Sequence, residues 1–151
     1  VREEKEFMDQ QQSHQRAQQF IDALHTLEQG GPDDVDAIVA LFSDDARLIN
    51  AALKLAGEER TGQEGARTFW REYRRTFGEA RSEFFQITAN DESAGLFWTT
   101  KGTGNDGQPM EYDGVSLLVF DDAGQIKLFR GYYDTRELGR EVGASGQPHN
   151  S

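Results

Sequence analysis

The amino-acid sequence predicts an α+β domain: a long, strongly curved antiparallel sheet with three helices over one of its faces. Three observations predict it. Apolar residues recur at helical spacing through the first half of the chain and gather in β-rich runs through the second. Met110–Asp134, reading MEYDGVSLLVFDDAGQIKLFRGYYD, places two such runs around the turn Asp121-Asp122-Ala123-Gly124, a hairpin for the middle of the sheet. Gly102, Gly104, Gly114 and Gly131 fall in or beside strands, where glycine marks the bulges and bends that curve a sheet. Helices over a curved sheet enclose a hollow, and these strands would wall it with aromatic rings.

The elements follow in order. Glu3–Gln29 reads as a helix whose stripe is Ala17, Phe20, Ile21, Leu24 and Leu27. Residues 1–16 are polar and Gln-rich, an extension that frays or packs on a second subunit. Gly30-Gly31-Pro32 ends this helix. Asp33–Phe42 reads as a second helix, acidic at its N-terminus where the dipole favours it, with Val35, Ile38, Val39 and Phe42 buried. Ser43-Asp44-Asp45 breaks it. Ala46–Ala52 reads as a short strand with Leu48 and Asn50 on one side, and Leu53–Arg60 as a loop. Thr61 and Glu64 have capping-box spacing and open a third helix to about Phe77. Its apolar face is Ala66, Phe69, Trp70, Tyr73 and Phe77. Arg67, Arg71, Arg74 and Arg75 lie largely off that face; such a cluster can bind an anion, but on an acidic protein it reads first as a solvated helix face paired with nearby Glu.

The strands Ser82–Thr88 and Ala94–Thr103 come next, joined by a turn at Asn90–Ser93. Asn105-Asp106-Gly107 then leads into the long hairpin. Arg136–Arg140 reads as a short helical cap, and residues 141–151 as a disordered tail. The order is α-α-β-α-β-β-β-β, one domain over residues 17–140, without internal repeats.

Composition excludes several classes. Lys and Arg number 16 against 27 Asp and Glu, a net charge of −11 that repels phosphate backbones and anionic lipid. Neither nucleic acid nor membrane is expected as a partner. The chain has no cysteine, so it has no disulfide, thiol nucleophile or thiolate metal site. A cytoplasmic location is expected. No run approaches the roughly 20 apolar residues of a membrane span. The polar N-terminus lacks the core of a signal peptide. It opens on Val1 rather than Met, so further native residues are expected ahead of it. His14 and His25 lie about 16 Å apart on one helix face, too far to share a metal ion. Asp33, Asp34 and Asp36 do not form a calcium loop. No metal and no cofactor is expected.

Four segments carry a resemblance: Phe20–Leu24, Ile38–Ala46, the helix start Gly62–Trp70, and Gly124-Gln125-Ile126 running into Phe129–Asp134. Over about Gln18–Leu138 the chain resembles the nuclear transport factor 2-like superfamily. Its members include ketosteroid isomerases, SnoaL-like polyketide cyclases and limonene-epoxide hydrolases. The resemblance implies a cone-shaped, cystatin-like fold with a ligand pocket. One such fold hosts many chemistries, so it does not fix the reaction.

Matched positions depart from the known mechanisms. The isomerases' general base falls on Asn50, an amide that takes no proton at neutral pH. Their oxyanion tyrosine falls on Phe20. Their oxyanion aspartic acid falls near Ser116, with Asp113 three residues upstream. The epoxide hydrolases' Arg-x-Asp pair falls near Phe97 and Thr99, and their tyrosine on Leu48. Their last-strand Asp falls on Gly131, and so does the acid of the SnoaL-like cyclases. Only Asn50 matches a hydrolase group.

The candidate catalytic residues are therefore Asn50 and Asp113. Asn50 would position water or a ligand carbonyl, or else bond its own backbone at a strand end. Asp113 would be a general acid if it points into an apolar pocket, and merely solubilising if it points out. Phe20, Trp70, Phe97, Thr99, Ser116 and Tyr133 are the candidate ligand contacts. Trp70, Trp98, Phe84, Phe97 and Tyr133 are core residues first, some of them lining the cavity. The expected function is to bind a small apolar or amphipathic molecule, with isomerase-, cyclase- or hydrolase-type turnover lacking the usual acid–base groups. A binding protein without turnover and a dimeric association module are the alternatives. A homodimer through the sheet face is expected in each case.

Overall fold

The structure, a computed structural model, describes residues 8–137. The first seven residues of the expected polar extension, residues 138–140 of the expected cap and the tail 141–151 lie outside the described residues.

Helix α1 (Gln10–Gln29) starts later than the Glu3 start expected, because Asp9 caps it. Asp9 Oδ1 accepts from Gln12 N–H at 2.8 Å and Gln12 Oε1 accepts from Asp9 N–H at 2.8 Å, a reciprocal box that fixes the first turn. Ala17, Phe20, Leu24 and Leu27 are buried along it.

Helix α2 (Asp36–Val39) is a single turn, and strand β1 (Phe42–Ile49) begins where the second helix was expected to end. Pairing overrides local propensity here. Leu41 O accepts from Ile126 N–H at 2.9 Å, and Phe42 registers with Ile126 on the last strand, β6 (Ile126–Tyr133). Ser43-Asp44-Asp45 does not break the chain. It sits at a register shift, with both Asp side chains in solvent and Ser43 Oγ donating to Asp45 Oδ1 at 2.9 Å.

The expected loop after β1 holds helix α3 (Ala51–Ala56). Asn50 caps its start and Gly57, at φ 72°, its end. Strand β2 (Arg60–Thr61) pairs with β1 and leads into helix α4 (Gly62–Arg75). Thr61 makes no side-chain cap bond, so the expected capping box is not formed. Helix α4 stops at Arg75, and Phe77 already belongs to strand β3. Arg67 pairs with Asp36 at 2.7 Å, while Arg74 donates to the carbonyls of Gly30, Phe77 and Gly78. The arginines thus tie α4 to its neighbours through Asp and backbone oxygen.

Strands β3 (Phe77–Ala89), β4 (Ser93–Gly104), β5 (Pro109–Phe120) and β6 (Ile126–Tyr133) form an antiparallel meander. The sheet order is β2-β1-β6-β5-β4-β3, with the long hairpin at its middle and β1 joining β6 in parallel. The sheet is curved and unclosed. The main core lies between its concave face and α1, α2 and α4. Phe20, Phe42, Phe69, Trp70 and Phe129 pack there with ring centroids 4.7–6.5 Å apart.

Candidate functional site

Alternation sends every second strand residue toward the helices, and cross-strand register aligns these residues in rows. Ser82, Thr100 and Tyr112 make one row. Phe84, Trp98, Gly114 and Tyr133 make the next. Ile87, Leu96, Ser116 and Gly131 make the third, and Asn50, directly after the Ile49–Arg130 pair, extends it. Phe20 and Leu24 of α1 and Phe69, Trp70 and Tyr73 of α4 close the space from above. A cavity of about 80 Å³ remains. One water needs roughly 10–15 Å³, so the space is larger than a single water requires.

Phe20, Asn50, Trp70, Ser116 and Tyr133 all line this chamber. Three other candidates do not. Phe97, Thr99 and Asp113 point to the opposite, convex face, because they lie at odd offsets from Trp98 and Ser116. Asp113 is exposed there and accepts from Thr99 Oγ1 at 2.7 Å, and Phe97 meets Phe85 at 6.5 Å between centroids. Asp113 cannot act as an acid in this chamber.

One end of the chamber is built from hydrogen-bond donors. Trp98 Nε1 donates to Ser116 Oγ at 2.9 Å. The Ser116 oxygen is thereby used as an acceptor, and its own proton is free for a ligand. The indole lies over Gly114, where a Cβ would fall 2.4 Å from the ring; glycine makes that contact possible. Asn50 Oδ1 accepts from Leu53 N–H at 2.8 Å as the cap of α3, so its amide NH₂ is the half left for the chamber. Burial raises the Tyr133 hydroxyl above its ordinary value of 10.0, and a hydrogen bond from the Ala52 backbone opposes the rise. Gly131 leaves open space between Asn50 and Ser116. A Cβ there would meet Asn50 Cβ at 3.6 Å, an ordinary contact.

The other end was not anticipated. Glu28, 5% exposed, accepts from Tyr73 OH at 2.6 Å, Ser82 Oγ at 2.5 Å and Ser82 N–H at 2.9 Å. Ser82 Oγ also bonds Thr100 Oγ1 at 2.7 Å. His25 Nε2 donates to the Ser82 carbonyl at 2.8 Å. Tyr73, Ser82 and Thr100 line the chamber, with Glu28 behind them. One sequence signal could have found this group: Glu28 lies four residues after Leu24, a charge inside the apolar stripe.

Burial, and then the Glu28 carboxylate, pushes the Tyr73 phenol well above its ordinary value of 10.0. Burial, followed by Tyr133 and Glu28, does the same to Tyr112. In the unfolded chain both phenols ionise near 10, while the folded chain keeps them protonated. These two phenols therefore leave stability independent of pH below about pH 10, and stability falls as pH rises beyond it. Urea unfolding between about pH 9 and about pH 12 should show this decline, and Tyr112→Phe should flatten it. Equal slopes in the two proteins would contradict the buried position of Tyr112.

Trp70 Nε1 is buried without a partner among the described residues. Among the described residues no His, Cys, Asp and Glu side chains gather as a metal site, and no helix is long and apolar enough to cross a membrane.

Comparison with known proteins places this architecture. The sequence profile of the SnoaL-like domain matches residues 17–129. No curated protein sequence matches the chain. An NTF2-like protein of unknown function from Burkholderia pseudomallei is 19% identical, covering 87% of this chain and 97% of its own, at a TM-score of 0.73. An LEH-like epoxide hydrolase from M. tuberculosis is 19% identical over 91% of this chain and 96% of its own, at 0.66. A putative ketosteroid isomerase from Kribbella flavida is 21% identical over 84% and 81%, at 0.64. At these identities the likeness is one of fold.

Proposed function

Because the chain belongs to the SnoaL-like domain family, we propose that it binds a small organic molecule in the chamber and holds a carbonyl-type oxygen of that molecule at the Asn50–Ser116–Tyr133 end. The observation that carries this reading is the Trp98–Ser116 hydrogen bond, which fixes a serine with a free proton in an apolar wall. A buried donor left unmatched is costly, so the site favours a ligand that supplies an acceptor. Similar folds include an epoxide hydrolase and a putative ketosteroid isomerase. Where the resemblance puts their acid–base groups, this chain has Asn50 and Gly131. Its donors suit holding and polarising an oxygen rather than shuttling a proton.

Both tryptophans of the chain, Trp70 and Trp98, line the chamber, so their indole N–H resonances report on it directly. Cyclohexanone should shift both saturably. Ser116→Ala should weaken that binding about fivefold while leaving cyclohexane binding unchanged. A ketone that moves neither indole would sink this reading.

A second reading concerns assembly. On the convex face Phe85 is 67% exposed and Tyr132 45% exposed, with Phe97 beside Phe85. We propose that two copies pair through this face, covering these rings. Light scattering should then give twice the chain mass of 17.0 kDa, and Phe85→Lys should return it to one. A monomeric parent protein would refute the pairing.

A further inference from the structure

The hydroxyl protons at the Glu28 end all run one way. Tyr73 and Ser82 both donate to Glu28 Oε2, at 2.6 and 2.5 Å. Ser82 has then spent its only proton, so Thr100 must be the donor in the 2.7 Å Ser82–Thr100 bond. What Thr100 and Tyr73 have left for the chamber is lone pairs. Three donors on two carboxylate oxygens suit the ionised, acceptor-only form. Among the described residues no Lys or Arg forms an ion pair with Glu28. His25 spends its Nε2 proton on the Ser82 carbonyl. Glu28 also lies in the last turn of α1, where the helix dipole opposes a negative charge. Arg74, Arg81 and Lys101 line an outer groove with Glu28 but form no ion pair with it, so on the chamber side its charge is met only by hydrogen-bond donors, an arrangement that is costly for a buried carboxylate.

The surroundings favour a cation. Tyr112, beside Thr100, is packed edge-on against Trp98 at 5.3 Å and Tyr133 at 5.5 Å between centroids, and aromatic faces attract organic ammonium groups. The Tyr112 hydroxyl has no partner among the described residues and can turn its oxygen toward a donor. The donor row and the acceptor row lie four residues apart along β4 and β5, about 13 Å.

We propose that the Tyr73–Ser82–Thr100 end receives a protonated amine, with Glu28 as its counter-charge through the hydroxyls. The ligand class is then a small cyclic or aromatic ammonium compound, with an oxygen acceptor toward Ser116. This rests on the chamber reading above and adds the charge of the ligand to it.

Benzylamine, benzyl alcohol and toluene test it, followed by the Trp70 and Trp98 indole resonances at pH 7 and about 150 mM salt, where the net charge is screened. Benzylamine should bind at least about tenfold more tightly than benzyl alcohol. Glu28→Gln should bring that ratio to about one, and Thr100→Val, which keeps the shape, should reduce it. If Glu28→Gln does not fold, Thr100→Val alone decides the matter. Equal binding of amine and alcohol, or a ratio unchanged in the variants, overturns the ammonium site and leaves the chamber intact. If none of the three compounds moves either indole, the chamber reading falls and the ammonium site with it.

Discussion

Trp70→Ala should destabilise the protein by about 3–5 kcal/mol, with a fall in Tm of roughly 10 °C or more. The ring is 2% exposed and joins α4 to everything beneath it. It packs against Phe69 at 4.7 Å, Phe129 at 5.1 Å, Tyr73 at 5.6 Å and Phe20 at 5.7 Å between centroids. Truncation would merge its volume with the existing chamber, and helices docked over a curved sheet cannot collapse far to refill it. Trp70→Phe separates packing from polarity. Because Nε1 has no partner, phenylalanine loses no hydrogen bond and should cost less than half as much. Chemical denaturation of the two variants measures both effects. A cost below about 1 kcal/mol for Trp70→Ala would mean that α4 is not held through this ring.

Gly114→Ala should cost about 1–3 kcal/mol although it adds only one methyl group. The new Cβ would lie 2.4–2.5 Å from the Trp98 ring and 2.6 Å from the Tyr132 carbonyl. The ring can turn away, but the carbonyl belongs to the neighbouring strand and cannot. Turning Trp98 breaks its bond to Ser116, so the near-UV circular dichroism of the tryptophans should change together with ketone affinity. Gly131→Ala is the matched control. It sits on the same concave face of the adjacent strand, where a Cβ meets nothing closer than 3.6 Å, and it should leave stability nearly unchanged while narrowing the chamber. Equal losses in the two variants would show that added bulk, not the Trp98 seat, is responsible.

Much of the fold was legible. The stripe through Ala17, Phe20, Leu24 and Leu27, the aromatic face of α4, and the turns at Asn105–Gly107 and Asp121–Gly124 are local patterns, and local patterns survive into the structure. Helix α3 was equally local. Asn50 and Gly57 bracket six good helix formers, and only the short length hid it. The site was less legible. Matching positions to relatives selected Asp113 and Ser116 together, yet three residues apart on a regular strand means opposite faces. Phe97 and Thr99 failed by the same parity against Trp98.

By itself, the sequence determined that this chain would lay an amphipathic helical layer over a β meander with aromatic walls, because periodicities of 3.6 and 2 are written residue by residue. Only the tertiary structure decided which parity of each strand faces inward, since the bulge between Phe84 and Gln86 and the parallel docking of β1 on β6 reset it. It also decided that Glu28, beside Leu27 on a helix, would meet Ser82, 54 residues away. A hydrogen bond across that separation leaves no periodic trace in the chain, because it comes from the packing of the helix on the sheet.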